Sequence, residues 1–168
     1  MVKEDILRVR DKVDLLIVAM HFGVEYTHVP TKYQIDMAEF LSSLGVDIII
    51  GTHPHVIMPI TYINDTLVIY SLGNFLSAQD TNNDYNTTVG LLSSIKITKN
   101  IDKDNNSSIK LSDLNNELIY TTNKDGYKII PFSNPDIKEY LNDYERVYNK
   151  YANIVRSIDS SININSLS

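Results

Sequence analysis

Apolar positions fall along this chain in three different rhythms. From Glu4 to Lys12, charged residues surround Ile6, Leu7 and Val9 at spacings that suit a helix. Val13 to Met20 is then almost continuously apolar, broken only by Asp14. Strands of a parallel sheet are covered on both faces and read this way, without alternation. His21 to Lys32 is a polar loop. Ile35, Ala38, Leu41 and Leu44 recur every third residue, which predicts a helix capped at its C-terminus by Gly45. Val46 to Gly51 reads as a second buried strand. Strand, helix, strand with a short return predicts a βαβ unit, hence parallel strands and a right-handed crossover.

Beyond residue 56 the rhythm predicts antiparallel strands. Ile60–Ile63 and Leu67–Leu72 flank the turn signal Asn64-Asp65. Ser77 to Thr88 is polar and Asn-rich, hence a loop. Val89–Thr98, Ile109–Leu111, Glu117–Thr122 and Tyr127–Ile130 are further strand candidates, with Asp125-Gly126 turning into the last. Residues 133–158 then read as one long helix. Ser133 or Asn134 caps it, Pro135 sits in its first turn, and a stripe runs from Ile137 through Tyr144, Tyr148 and Tyr151 to Ile158. The tyrosines read as packing. The tail from Ser160 to Ser168 reads as frayed. The fold class is therefore mixed α/β (α+β).

Composition narrows the chemistry. Of 168 residues, 43% are apolar, enough for a core. There is no cysteine, so thiolate metal sites, cysteine nucleophiles and disulfides are excluded, and any metal must take nitrogen and oxygen ligands. A net charge of −6 with 15 Lys and Arg argues against a nucleic-acid partner held by phosphate neutralisation. No apolar run reaches the ~20 residues of a bilayer span.

Three of the four histidines occupy matching positions. His21 follows the first buried strand, and His53 and His55 follow the second. Ligands of open α/β sheets bind outside the carboxyl ends of the strands, so parallel neighbours bring all three imidazoles to one edge. Pro54 favours an extended His53, and residues two apart in an extended segment share a side, so His53 and His55 aim at one point. Gly51 permits a sharp turn off the strand. Imidazole is a common ligand of divalent metals, and this clustering favours a metal site over three unrelated loop histidines. Glu25 reads equally as a general base, a partner to a ligating histidine, or a surface carboxylate; Tyr26 lies beside it. His28, mid-loop, reads as solvated or at a substrate edge. Asn74, after Gly73, either reaches a metal or phosphate or closes a turn.

These residues carry a resemblance. Val18-Ala19-Met20-His21-Phe22-Gly23-Val24-Glu25-Tyr26, then Pro30, Gln34 and Ala38, then Gly45-Val46-Asp47-Ile48-Ile49-Ile50-Gly51-Thr52-His53-Pro54-His55-Val56, then Ile69-Tyr70-Ser71-Leu72-Gly73-Asn74-Phe75 resemble the CapA family of capsule and poly-γ-glutamate synthesis proteins. The resemblance covers roughly residues 5–98 and implies a fold similar to calcineurin-like metallophosphoesterases, a β-sandwich flanked by helices. It implies His21, His53 and His55 as ligands of divalent metal (Mn, Fe or Zn) in a hydrolase acting on a phosphate-containing substrate or an anionic polymer; His55 and, from its place in the loop, Glu25 are the catalytic candidates. It also implies a cell-surface or membrane-associated location.

The chain departs from the family pattern in several places. Phe22 stands where tryptophan is usual, and Met58 and Thr61 replace a glutamine and an acidic residue. The family's Asp-x-His, Gly-Asp and Gly-Asn-His blocks, which supply carboxylate and asparagine ligands, have no counterpart before His21. The expectation is thus the C-terminal half of a CapA-like domain over residues 1–131, with residues 132–168 as a helix and tail packed on it. Such a piece would bear an incomplete metal site and an exposed sheet edge, completed by a missing N-terminal half or by a second copy as a homo-oligomer. A truncated, non-catalytic binding module and a single three-histidine zinc site are the alternatives.

Overall fold

The computed structural model describes residues 2–79 and 85–167. A first helix, α1 (Val2–Arg10), leads into β1 (Ile17–His21), α2 (Lys32–Ser43), β2 (Ile48–Thr52), β3 (Ile60–Ile63) and β4 (Thr66–Ile69). These four strands form one sheet in the order β1-β2-β4-β3. β1 pairs parallel with β2 and β2 with β4, while the β3–β4 hairpin is antiparallel about Asn64 at φ +52°. The βαβ unit is therefore present as the apolar runs predict.

Alternation splits the sheet between two apolar layers. Ile49, Val68 and Tyr70 face the helices and pack with Ile6, Ala38 and Leu41. Ile48, Leu67 and Ile69 face the other way and pack with Val89, Leu91 and Leu118 of a second sheet. That sheet is antiparallel, in the order β5 (Val89–Ile101), β6 (Ser107–Thr122) and β7 (Lys128–Pro131). Ile109–Leu111 and Glu117–Thr122 are not separate strands but parts of β6, which pairs with β5 through a shift at Ser94/Lys96. The polar stretch 100–108 closes that hairpin outside the core; there Asp14 bonds Lys99 and Ser107, which hold its carboxyl below the usual carboxylate range.

β1 is not buried on both faces: it is an edge strand, and Ile17 is 47% exposed. Its inner side is set by the ladder. Ile48 N–H donates to the Leu16 carbonyl, and Phe22 N–H to the Thr52 carbonyl. Peptide groups alternate, so Leu16, Val18, Met20 and Phe22 face β2, while Ile17, Ala19 and His21 face outward. No strand among the described residues pairs on that outer side. An apolar cavity of about 150 Å³ between the sheets, lined by Ile17, Ile50, Ile97 and Leu114 among others, lies beside this edge.

The predicted helix over 133–158 is two helices, α3 (Ile137–Tyr140) and α4 (Tyr144–Val155). Leu141 breaks them by adopting an extended backbone (φ −141°, ψ 101°) with its side chain buried. Asn134 does not cap a helix but accepts from Asp136 N–H in a turn. Val147, Tyr151 and Val155 are buried, and the stripe ends there, leaving Ile158 exposed.

Nor is the tail frayed over the residues described. Ile162 and Ile164 are buried. Asn165 N–H donates to the Asn116 carbonyl, and the Asn116 amide donates to the Asn163 carbonyl. The alternation Ile162-Asn163-Ile164-Asn165 lets an extended segment lay one side on the core and offer the other to β6. Of the expected loop 77–88, residues 80–84 lie outside the described residues.

Candidate functional site

Parallel pairing of β1 with β2 puts His21 opposite Thr52, one residue before His53. All three histidines accordingly emerge at the same sheet edge. The His21 and His53 rings lie 4.6 Å apart between centroids, and His53 and His55 6.5 Å apart.

The backbone route differs from the extended segment predicted from Pro54. His53 has φ +99° and His55 φ +61°, both in the region that side chains rarely adopt. Tyr26, on the facing loop, is a third such residue at φ +63°. Its N–H donates to the Pro54 carbonyl at 2.8 Å, and this bond ties the loop after β1 to the loop after β2. The chain thus leaves β2 by a turn strained at the histidines themselves. Gly51 does not make that turn. It lies within β2, where a Cβ would run into the Tyr70 carbonyl and Phe22.

Strain at His53 can be measured. Glycine adopts φ +99° freely, whereas alanine does not. His53→Gly should therefore be more stable than His53→Ala by about 1 kcal/mol in urea unfolding, although both remove the same imidazole. Equal stability of the two variants would show that the turn relaxes without cost.

Glu25 and Tyr26 stand over His55. Glu25 Oε1 lies 4.0 Å from His55 Nε2, and the Tyr26 ring stacks on the imidazole at 6.1 Å and 24°. The other ring nitrogen of His55, Nδ1, is 3.0 Å from Asn74 Oδ1. Asn74 therefore bonds a histidine and does more than close a turn. His21 Nδ1 lies 3.5 Å from Thr52 Oγ1, whose hydroxyl donates to the Met20 carbonyl at 3.2 Å.

The loop carrying His21 to Tyr26 is held by a side chain that spacing arguments alone left unassigned. Gln34 is fully buried; its Oε1 accepts from Thr31 N–H at 3.0 Å, and Thr31 Oγ1 accepts from Gln34 N–H. This capping box starts α2 at Lys32, ahead of the predicted Ile35. Gln34 Nε2 reaches the Phe22 carbonyl at 3.5 Å, and its amide packs on Gly23, whose φ is +110°. The signal was present as Thr31-x-x-Gln34. His28 is half-buried rather than solvated. Its Nδ1 lies 2.7 Å from the Ile57 carbonyl and its Nε2 3.3 Å from Asn86 Oδ1, which also accepts from Tyr151 of α4. Sequence spacing gave no sign of that contact with the C-terminal helix.

Imidazole nitrogen and carboxylate oxygen suit a divalent ion. The spacing, however, gives two pairs, His21–His53 and His55–Glu25, not one enclosing set. Among the described residues, no group of three or more His, Asp or Glu side chains is placed to hold an ion. As arranged, the donors do not complete a metal centre.

Residues 1–79 match the family described as bacterial capsule synthesis protein PGA_cap. The chain is 46% identical over 66 residues to "PGA biosynthesis protein CapA" of Bacillus subtilis (strain 168), covering 39% of this chain and 17% of that protein. It is 39% identical over 66 residues to "Capsule biosynthesis protein CapA" of Bacillus anthracis, covering 39% of this chain and 16% of that one. The chain thus spans about a sixth of the length of these curated relatives.

Proposed function

We propose that this chain, whose residues 1–79 match a family of bacterial capsule synthesis proteins, contributes the histidine portion of a metal-dependent hydrolytic site in capsule or poly-γ-glutamate biosynthesis. The observation that carries this reading is the delivery of His21, His53 and His55 to one edge by two adjacent parallel strands. Spending backbone strain on two of the three supports it, because strained residues persist where function holds them.

In this reading His21, His53 and His55 are the nitrogen ligands, and the remaining oxygen ligands come from polypeptide beyond the described set. A divalent ion held by these histidines together with further oxygen ligands would supply Lewis acidity and lower the pKa of a water there. The chain's own contribution is positional. Glu25 stands beside His55 Nε2 as a proton acceptor or partner, Tyr26 covers the imidazole, and the Tyr26–Pro54 bond keeps the two loops together. A chain of net charge −6 repels an anionic polymer, so a cation at the histidines is also what would draw such a substrate in. No helix among the described residues is long and apolar enough to cross a membrane.

The incomplete donor geometry favours a second reading, a non-catalytic module of a polymer-synthesis complex. Titration of the purified chain with zinc and with manganese separates these, alongside a metal-dependent phosphodiesterase assay. The expected result is weak binding, reduced at least about tenfold in His53→Ala, with no efficient hydrolysis. No binding at all would favour the non-catalytic module, and one tight equivalent a single three-histidine zinc site. Two equivalents with phosphodiester hydrolysis lost in His53→Ala would overturn the incomplete-site reading.

A further inference from the structure

The hydrogen bonds behind His55 leave its imidazole one neutral form. Asn74 Nδ2 donates to Gln79 Oε1 at 2.8 Å and to the Thr87 carbonyl at 3.0 Å. An amide nitrogen has two hydrogens, and both are spent. Turning the amide over would set its oxygen against the Thr87 carbonyl. Oδ1 therefore faces His55 Nδ1, and an amide oxygen only accepts. The hydrogen of neutral His55 must sit on Nδ1, leaving the Nε2 lone pair bare on the side of Glu25.

The backbone that holds Asn74 is equally fixed. Gly73, at φ +69°, makes the turn into it. The Asn74 carbonyl lies so close to Gly90 of β5 that a Cβ there would collide with it. Asn74 is thus clamped between the end of the first sheet and the start of the second, with its side chain aimed at the histidine.

We infer that Asn74 is a positioning residue of the cluster, setting the tautomer of His55 so that Nε2 is free to bind an electrophile. Its use for metal binding rests on the function proposed above; the tautomer is a property of the chain alone. Histidine side chains that bind metal are commonly oriented in this way by a hydrogen bond to the other nitrogen.

The test is long-range ¹⁵N–¹H correlation of the histidine rings in labelled protein, at a pH well above histidine titration. His55 should show a protonated Nδ1 and a bare Nε2. Asn74→Leu should move the hydrogen to Nε2, wholly or in part. Asn74→Asp, which keeps an acceptor in place, should retain it on Nδ1. Zinc alone, titrated calorimetrically, should bind about 10–100-fold more weakly to Asn74→Leu than to wild type, with Asn74→Asp restoring part of the loss. A wild-type His55 protonated at Nε2, or an Asn74→Leu spectrum unchanged at Nδ1, overturns the inference. If Asn74→Leu fails to fold, the wild-type and Asn74→Asp spectra still decide it. If zinc binds to none of the proteins, the metal reading falls while the ring spectra judge Asn74 by themselves.

Discussion

Gly51→Ala should cost about 3 kcal/mol of stability or more, seen as a large fall in the urea midpoint. The cause is contact, not conformation. A Cβ at position 51 would run into the Tyr70 carbonyl and lie within 2.8 Å of Phe22 Cε1. Neither neighbour can yield cheaply. Tyr70 continues β4 and its ring is buried among Ile49, Met58 and Val68, while Phe22 begins the His21 loop and is itself buried. A methyl group there pushes β2 from both sides, just ahead of Thr52 and His53. The histidine pairing at 4.6 Å should be lost with the stability. A midpoint within the usual scatter of surface substitutions would show that the strands part without penalty.

Gln34→Glu is expected to have the next largest effect, about 2–3 kcal/mol, because it removes one hydrogen-bonding group and introduces a charge in a fully buried place. The amide oxygen serves α2 through Thr31, and a carboxylate can keep that bond. The amide nitrogen faces the Phe22 carbonyl and Met58 Sδ, and a carboxylate oxygen there meets another oxygen without a hydrogen between them. The loss therefore falls on the loop that carries His21, Glu25 and Tyr26. Unfolding in urea measures the stability, and the ring resonances of His21 and His55 report the loop. Unperturbed rings in a destabilised protein would assign Gln34 to α2 alone.

Much of this could be read from residue pattern because local and global demands agree in the first half of the chain. Ile48 to Ile50 is apolar on both faces because β2 lies between α2 and the second sheet. Val13 to Met20 has the same composition, yet its strand is an edge. Burial depends on what lies beyond the strand, and nothing in those eight residues encodes that. The C-terminal stripe was legible as a buried face but not as two helices, since Leu141 keeps the spacing while leaving the helix. The Ile-Asn alternation of the tail carried a strand-like signal too short to stand against its polar neighbours.

At the site, the three histidines were legible because strand ends are marked by where apolar runs stop. Their route was not. Pro54 predicts an extended His53, but the Tyr26–Pro54 bond and the turn off β2 place it at φ +99°. Tertiary contact there overrides local preference. The Asn74 contact joins residues 19 apart, and the His28 contact with Asn86 joins residues 58 apart. Spacing arguments reach neither.

The alternation of peptide groups along β1 has a consequence for how solvent reaches it. Val18, Met20 and Phe22 turn their amide hydrogens toward β2, while Ile17, Ala19 and His21 turn theirs outward. Deuterium should therefore enter this strand at every second residue, with the odd set exchanging freely and the even set protected. Polypeptide that pairs along the edge would slow the odd set and leave the even set unchanged. β1 thus carries its own reporter of completion, read amide by amide, and the last of its reporting residues is His21.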